Sequence, residues 1–220
     1  MPKNFSLRGL LLGSLLLLLS ATAQADKTVA FQDANRHGDD APGSSLHWTF
    51  KWDGKDVEIG SDGKGRLGNR DFQVPLNSTR LTAHLRYATY NGDLLVLVEE
   101  TDEESSAGKL VRFAEKTLKP KWNCGIPSLN VGPAVIEGRS VYLSARATAM
   151  KVNLDSGQWD WRKTNLNRLN ESTTYRFNAF ELPQVGKDTV TFPEAPETPS
   201  GASPGGITFN KADGEVLEIR

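Results

Sequence analysis

Residues 133–162, PAVIEGRSVYLSARATAMKVNLDSGQWDWR, leave this chain few folds to choose from. They hold four apolar runs of strand length, at 134–136, 141–143, 150–154 and 159–161. Glu137-Gly138, the small residues of 144–148, and Asp155-Ser156-Gly157 divide them. Short β-rich runs punctuated by Gly and Asp predict an antiparallel meander. Met150, Val152 and Leu154 alternate with Lys151 and Asn153, so that strand turns one face inward.

The pattern recurs. Residues 81–90 read as a strand, Asn91-Gly92 as a hairpin turn and 94–98 as a buried run. An acidic loop at 99–108 then leads to 110–113 and 115–122. A third copy follows: 177–182, the turn Gly186-Lys187-Asp188, 189–192, the Pro-rich segment 193–206, 207–209, and 216–219 after Ala212-Asp213-Gly214. Gly92, Gly138 and Gly186 are spaced by 46 and 48 residues. Four strands in a period of 40–50 residues is the signature of propeller blades. Trp122 and Trp161 align, as do Gly157 and Gly214. Leu118 replaces the glycine in one copy, and Glu218 replaces the tryptophan in another.

The order G-x-x-V-Y, small residues, then D-x-G-x-x-x-W resembles the repeat of the pyrroloquinoline-quinone-type β-propeller family over about 81–220. The resemblance implies an all-β, propeller-like fold of about four antiparallel meander units, at 28–74, 81–122, 133–162 and 177–220. It also implies a ring closed by pairing of 216–219 with an N-terminal strand. An incomplete propeller or a two-sheet sandwich is the alternative. Gly92, Trp122, Gly138, Gly157, Trp161, Gly186 and Gly214 are the structural repeat residues, the tryptophans packing between blades in that family. Its quinone enzymes use a vicinal cysteine ring and a bound calcium. This chain has one cysteine and no readable ligand cluster, so no cofactor is expected.

The first residues read as an address. Lys3 and Arg8 precede an apolar stretch at 10–19, and Ala23-Gln24-Ala25 is an A-x-A cleavage site. Ten residues are too few to span a bilayer as a helix. We therefore expect 1–25 to be a cleaved signal peptide, 26–220 to be one periplasmic domain, and no stable membrane anchor. Losing those two basic residues takes the formal charge from −1 to −3. So balanced a charge does not point to nucleic acid or an anionic membrane surface, and neither is expected as a partner. Cys124, alone between Trp122 and Ile126, reads as a buried small hydrophobe.

Motifs that carry chemistry fail on context. Asp33-x-Asn35-x-His37 opens like a calcium loop, but His37 and Ser44 stand where acidic or amide ligands belong. The G-x-G-x-x-G at 63–68 runs into extended sequence and Pro75 instead of a helix. There is no G-x-S-x-G elbow, and His37, His47 and His84 lack metal-site spacing. We assign no catalytic, cofactor or metal residue. The expected function is a non-enzymatic protein-binding or scaffold role, of an envelope-assembly or immunity type, toward another periplasmic or envelope protein. Long loops on a rigid β-scaffold commonly bind. The candidate partner residues are therefore Glu99, Glu100, Asp102, Glu103 and Glu104, read as a solvated acidic loop, with Pro193, Glu194, Pro196, Glu197 and Pro199. The alternative is a ligand-binding or enzymatic central channel lined by His84, Arg86, Glu137 and Glu181.

Overall fold

The computed structural model describes residues 27–39, 46–76, 81–101, 106–168, 177–195 and 205–220. The expected leader lies outside them. An extended segment comes first, with β1 (Val29–Ala30), β2 (Gln32–Asp33) and β3 (Asn35–His37). Four antiparallel meanders, or blades, follow. Blade 1 is β4 (His47–Trp52), β5 (Lys55–Gly60), β6 (Lys64–Leu67) and β7 (Arg70–Gln73). Blade 2 is β8 (Leu81–Tyr90), β9 (Asp93–Thr101), β10 (Ser106–Phe113) and β11 (Pro120–Ile126). Blade 3 is β12 (Ala134–Glu137), β13 (Ser140–Ala145), β14 (Thr148–Asn153) and β15 (Trp159–Lys163). Blade 4 is β16 (Gln184–Val185), β17 (Thr189–Pro193), β18 (Gly206–Asn210) and β19 (Val216–Ile219). Asp53-Gly54, Gly92, Gly138 and Gly186 all fall in first-to-second-strand turns.

Side-chain alternation decides where each blade sits. In β9, Leu94, Val96 and Val98 enter the layer shared with blade 1, while Leu95 and Leu97 enter the layer shared with blade 3. In β13, Val141 and Leu143 face blade 2 and Tyr142 faces blade 4. The middle blades therefore carry unbroken apolar runs. The end blades alternate instead. β4 turns Trp48, Phe50 and Trp52 inward against His47, Thr49 and Lys51 outward. β17 and β18 bury Val190, Phe192, Ile207 and Phe209, and on their other face the hydroxyls of Thr191 and Thr208 hydrogen-bond at 2.9 Å.

No apolar layer among the described residues joins blade 4 to blade 1. Arg66 and Asp71 on the outer face of blade 1 leave 68% and 82% of their side chains exposed. The fold is all-β and propeller-like, but it is an open arc. Its polar end faces serve as the solvated caps that stacked repeats need. The ring closure expected from 216–219 does not occur, because β18 is the one strand neighbour of β19 among the described residues.

A repeated contact joins adjacent blades. The indole N–H of Trp122 on β11 donates to the Leu154 carbonyl of blade 3 at 2.9 Å, and that of Trp161 on β15 donates to the Lys211 carbonyl of blade 4 at 3.1 Å. Each ring lies against a glycine with φ +71°, Gly157 and Gly214 respectively. Leu118 takes the same left-handed turn (φ 55°) with its side chain buried. Blade 1 sends it no tryptophan; Phe72 enters that layer and meets Phe113 edge-on at 5.2 Å. Glu218, at the tryptophan position of blade 4, is exposed because the arc ends there.

The N-terminal strands are spent on a strap. β1 pairs with β12, β2 with β8 and β3 with β4, each antiparallel. The segment thus crosses the inner edges of blades 3, 2 and 1, in reverse chain order. Phe31 donates to the Ala134 carbonyl and Ala34 to the Leu85 carbonyl, both at 2.9 Å. Both side chains enter the layers between blades. Of the first expected unit, only His47–Gln73 is blade.

Candidate functional site

The second-to-third-strand connections and the blade-to-blade crossovers share one end of the arc. A belt of hydrogen bonds stitches them together. The Glu99 carboxylate accepts the Asn130 N–H at 2.9 Å, and the Leu129 carbonyl accepts the Arg146 N–H at 2.7 Å. The Ala147 N–H donates to the Phe177 carbonyl at 2.8 Å, and the Glu194 carboxylate accepts the Phe177 N–H at 2.8 Å. Asn130 and Phe177 both have positive φ, at 52° and 62°. In each case a carboxylate takes up an N–H that an unusual backbone turn directs away from any strand ladder.

This placement corrects part of the acidic-loop expectation. Glu99 and Glu100 belong to β9 and are buried, not solvated. Glu100 forms an ion pair with the equally buried Lys109 at 3.3 Å, and the Lys109 ammonium also donates to the Pro75 carbonyl. A run of carboxylates reads as solvent-facing only until its partners, distant in sequence, are known. Pro193 ends β17, and its carbonyl accepts the Glu181 N–H at 2.8 Å. Asp102, Glu103, Glu104, Pro196, Glu197 and Pro199 lie outside the described residues.

At the opposite end, a charged cluster that the sequence reading missed holds blades 2 and 3 together. Asp93 Oδ2 accepts Arg112 Nε and Lys121 Nζ, both at 2.6 Å, and Oδ1 accepts the Glu115 N–H at 3.1 Å. Arg112 Nη1 reaches across to the Leu154 carbonyl at 2.6 Å. Burial pushes the Asp93 carboxyl toward protonation, but the bonds from Lys121, the Glu115 N–H and Arg112 outweigh it and hold its pKa below the ordinary value. The available signal was Arg112 itself, a charge at an inward position of the apolar run LVRF.

The four residues proposed for a central channel do not converge. His84 and Arg86 line a recess of about 480 Å³ with Asp33, Arg36 and Trp48. Arg86 is engaged there by Asp33 at 2.8 Å and by the Val131 carbonyl at 2.8 Å, so it anchors the strap. Glu137 pairs with Lys211 at 2.5 Å, linking blades 3 and 4, and Glu181 is exposed elsewhere. Among the described residues no three His, Cys, Asp or Glu side chains group as a metal site. Among the described residues, every group with a clearly displaced pKa moves away from neutrality: Asp62, Asp93 and Glu218 downward, Lys64, Cys124, Tyr142 and Arg220 upward.

No protein family matches the chain, and no curated protein matches it. Among solved structures it is similar to the crystal structure of BamB from Moraxella catarrhalis. The two share 12% identity and a TM-score of 0.49, over 86% of this chain and 52% of that one. The chain thus spans about half the length of that protein. No helix among the described residues is long and apolar enough to cross a membrane.

Proposed function

We propose that this protein is a non-enzymatic, protein-binding scaffold of the bacterial cell envelope, delivered by its N-terminal leader. The observation that carries this reading is the belt. It fixes, on backbone hydrogen bonds, the buried Glu99 carboxylate and the half-buried Glu194 carboxylate, the end of the arc from which the segments after Thr101 and Ala195 emerge. A rigid β-scaffold presenting connections of variable length from one end is a common binding arrangement. Asp93 and Arg112, and Glu137 with Lys211, are engaged in contacts that join neighbouring blades. The inner side that a channel enzyme would need is crossed by strap backbone on three blades.

The test is site-specific photocrosslinking in the native host. A photoreactive residue replaces Glu103 or Glu197, with Lys51 on the outer face of blade 1 as the control position. One discrete protein adduct from Glu103 or Glu197, and none from Lys51, is expected. A stoichiometric small molecule in native mass spectrometry, with no protein adduct from either position, would overturn the reading.

A further inference from the structure

We propose that the inner edge of blade 4 is a strand-addition site for an extended segment of a protein partner, an inference that rests on the protein-binding reading above. Three inner edges are already covered, since β12, β8 and β4 each carry a strap strand on the side away from their own meander. β16 has β17 as its one strand neighbour among the described residues. Its ladder tells which backbone groups are open. The Gly186 N–H donates to the Thr189 carbonyl at 2.8 Å, while Gln184 and Val185 stand opposite Thr191 and Val190. Residues of an antiparallel pair turn both backbone groups alternately toward the partner and away from it. Gly186 and Gln184 therefore face β17. The N–H and C=O of Val185 face the inner side of the arc.

The strap shows what kind of segment fits such an edge. On blade 3, Val29 stands opposite Ile136, and Phe31, two residues on, donates to the Ala134 carbonyl. On blade 2, Gln32 stands opposite Tyr87 and Ala34 donates to the Leu85 carbonyl. Val185 corresponds to Ile136, because each lies opposite the first buried valine of the next strand, Val190 and Val141 respectively. A segment docked in the same way would pair opposite Val185 and donate to the Pro183 carbonyl two residues later. Its side chain at that step would enter the layer between blades 3 and 4.

In the strap those interblade side chains are apolar, Phe31 and Ala34. Three residues before Phe31 stands Thr28, exposed and outside any strand. Among the described residues this chain's own segment pairs no farther than blade 3. The occupant is a segment from another protein with an apolar residue at that step, and exposed Leu182, beside Pro183, gives it apolar surface to cover. Open edges invite such pairing, and strand addition is a recurrent mode of peptide recognition.

The probe is an end-blocked peptide, Val-Ala-Phe-Gln-Asp-Ala-Asn-Arg, copying residues 29–36, titrated into the purified protein with amide NMR and hydrogen exchange as readouts. Val185→Pro removes the outward N–H and leaves the donors of Gln184 and Gly186, a substitution that edge strands tolerate. Val185→Ala keeps the donor. The peptide is expected to shift and protect the backbone amide at position 185 in the parent and in V185A, and to bind V185P at least tenfold more weakly. Equal binding to V185P overturns the proposal. So does perturbation confined to Ile136 and Tyr87, which would mean exchange with the strap. Protection of the Val185 amide before peptide is added also overturns it, since the chain's own N-terminus or a second copy would then hold the edge. Should V185P misfold, a peptide with Phe31→Ser keeps the question open to refutation, because undiminished affinity would sink the docking mode. A crosslink from Glu103 that persists in V185P, with no peptide binding to the parent, would leave the protein-binding reading standing without this edge.

Discussion

Gly157 lies so close to Trp122 of the preceding blade that a Cβ placed on it would fall 2.6 Å from the indole ring. The glycine also sits at φ +71°, where side chains are strained. Gly157→Ala should cost about 2–4 kcal/mol, from overpacking and backbone strain together. In a Trp122→Ala background only the backbone part, roughly 1 kcal/mol, should remain. Urea unfolding of the four variants in this double-mutant cycle measures the coupling, and additive costs would mean the ring and the glycine do not touch.

Trp161 repeats the contact at the next interface with its ring more fully buried, 5.6 Å from Phe209. Trp161→Ala should destabilise by about 3–5 kcal/mol. Trp161→Phe keeps much of the packing but forfeits the bond to the Lys211 carbonyl, and should lose roughly 1–2 kcal/mol. Thermal or chemical melts would show an unchanged midpoint if the ring did not bridge the blades.

Asp93 makes the fold acid-sensitive. Its pKa in the folded protein lies below the ordinary 3.8, so the unfolded chain takes up the proton first. The stability this carboxylate contributes is fully present above pH 4–5, by the usual carboxylate range, and fades as pH falls through the lowered value. Asp93→Ala leaves the buried Arg112 with the Leu154 carbonyl and a 3.8 Å ion pair to Asp155, and should cost about 2–3 kcal/mol at neutral pH. It should also flatten the loss of stability toward acid, which unfolding measured from pH 7 to 3 would record.

Cys124 should resist modification. Burial raises its pKa, and the Trp159 hydrogen bond and the Arg162 charge only partly offset that, so little thiolate exists at neutral pH. A disulfide reagent should label the native protein slowly and the urea-unfolded protein to completion within minutes. Rapid native labelling would place the sulfur at the surface.

The blades were legible because each strand signs its own burial with a period of two. The order of the blades was legible too, though less directly. Leu94-Leu95-Val96-Leu97-Val98 is apolar on both faces and belongs in the middle, whereas His47–Trp52 and Thr189–Pro193 alternate and belong at open ends. That contrast argues against a closed ring, where no blade would have a wet face. The strap was not legible. Its strands are two or three residues long and use only backbone on one edge, so no side-chain period of two develops. The roles of Glu99, Glu100 and Glu194 were hidden for a different reason. Their partners, Asn130, Lys109 and Phe177, are brought near by the fold, and a carboxylate's fate depends on what ends up beside it.

The strap also sets a clock. Asn35 pairs with Thr49, close by in the chain, but Val29 pairs with Ile136, more than a hundred residues later. Blade 1 can capture the end of the segment early, whereas its beginning must wait, unpaired, until blade 3 has been synthesised and has assembled. Contacts of such long range slow folding and prolong exposure of unsatisfied strand edges. The segment synthesised first is therefore the last to settle, and its zipping from blade 1 toward blade 3 marks the end of maturation.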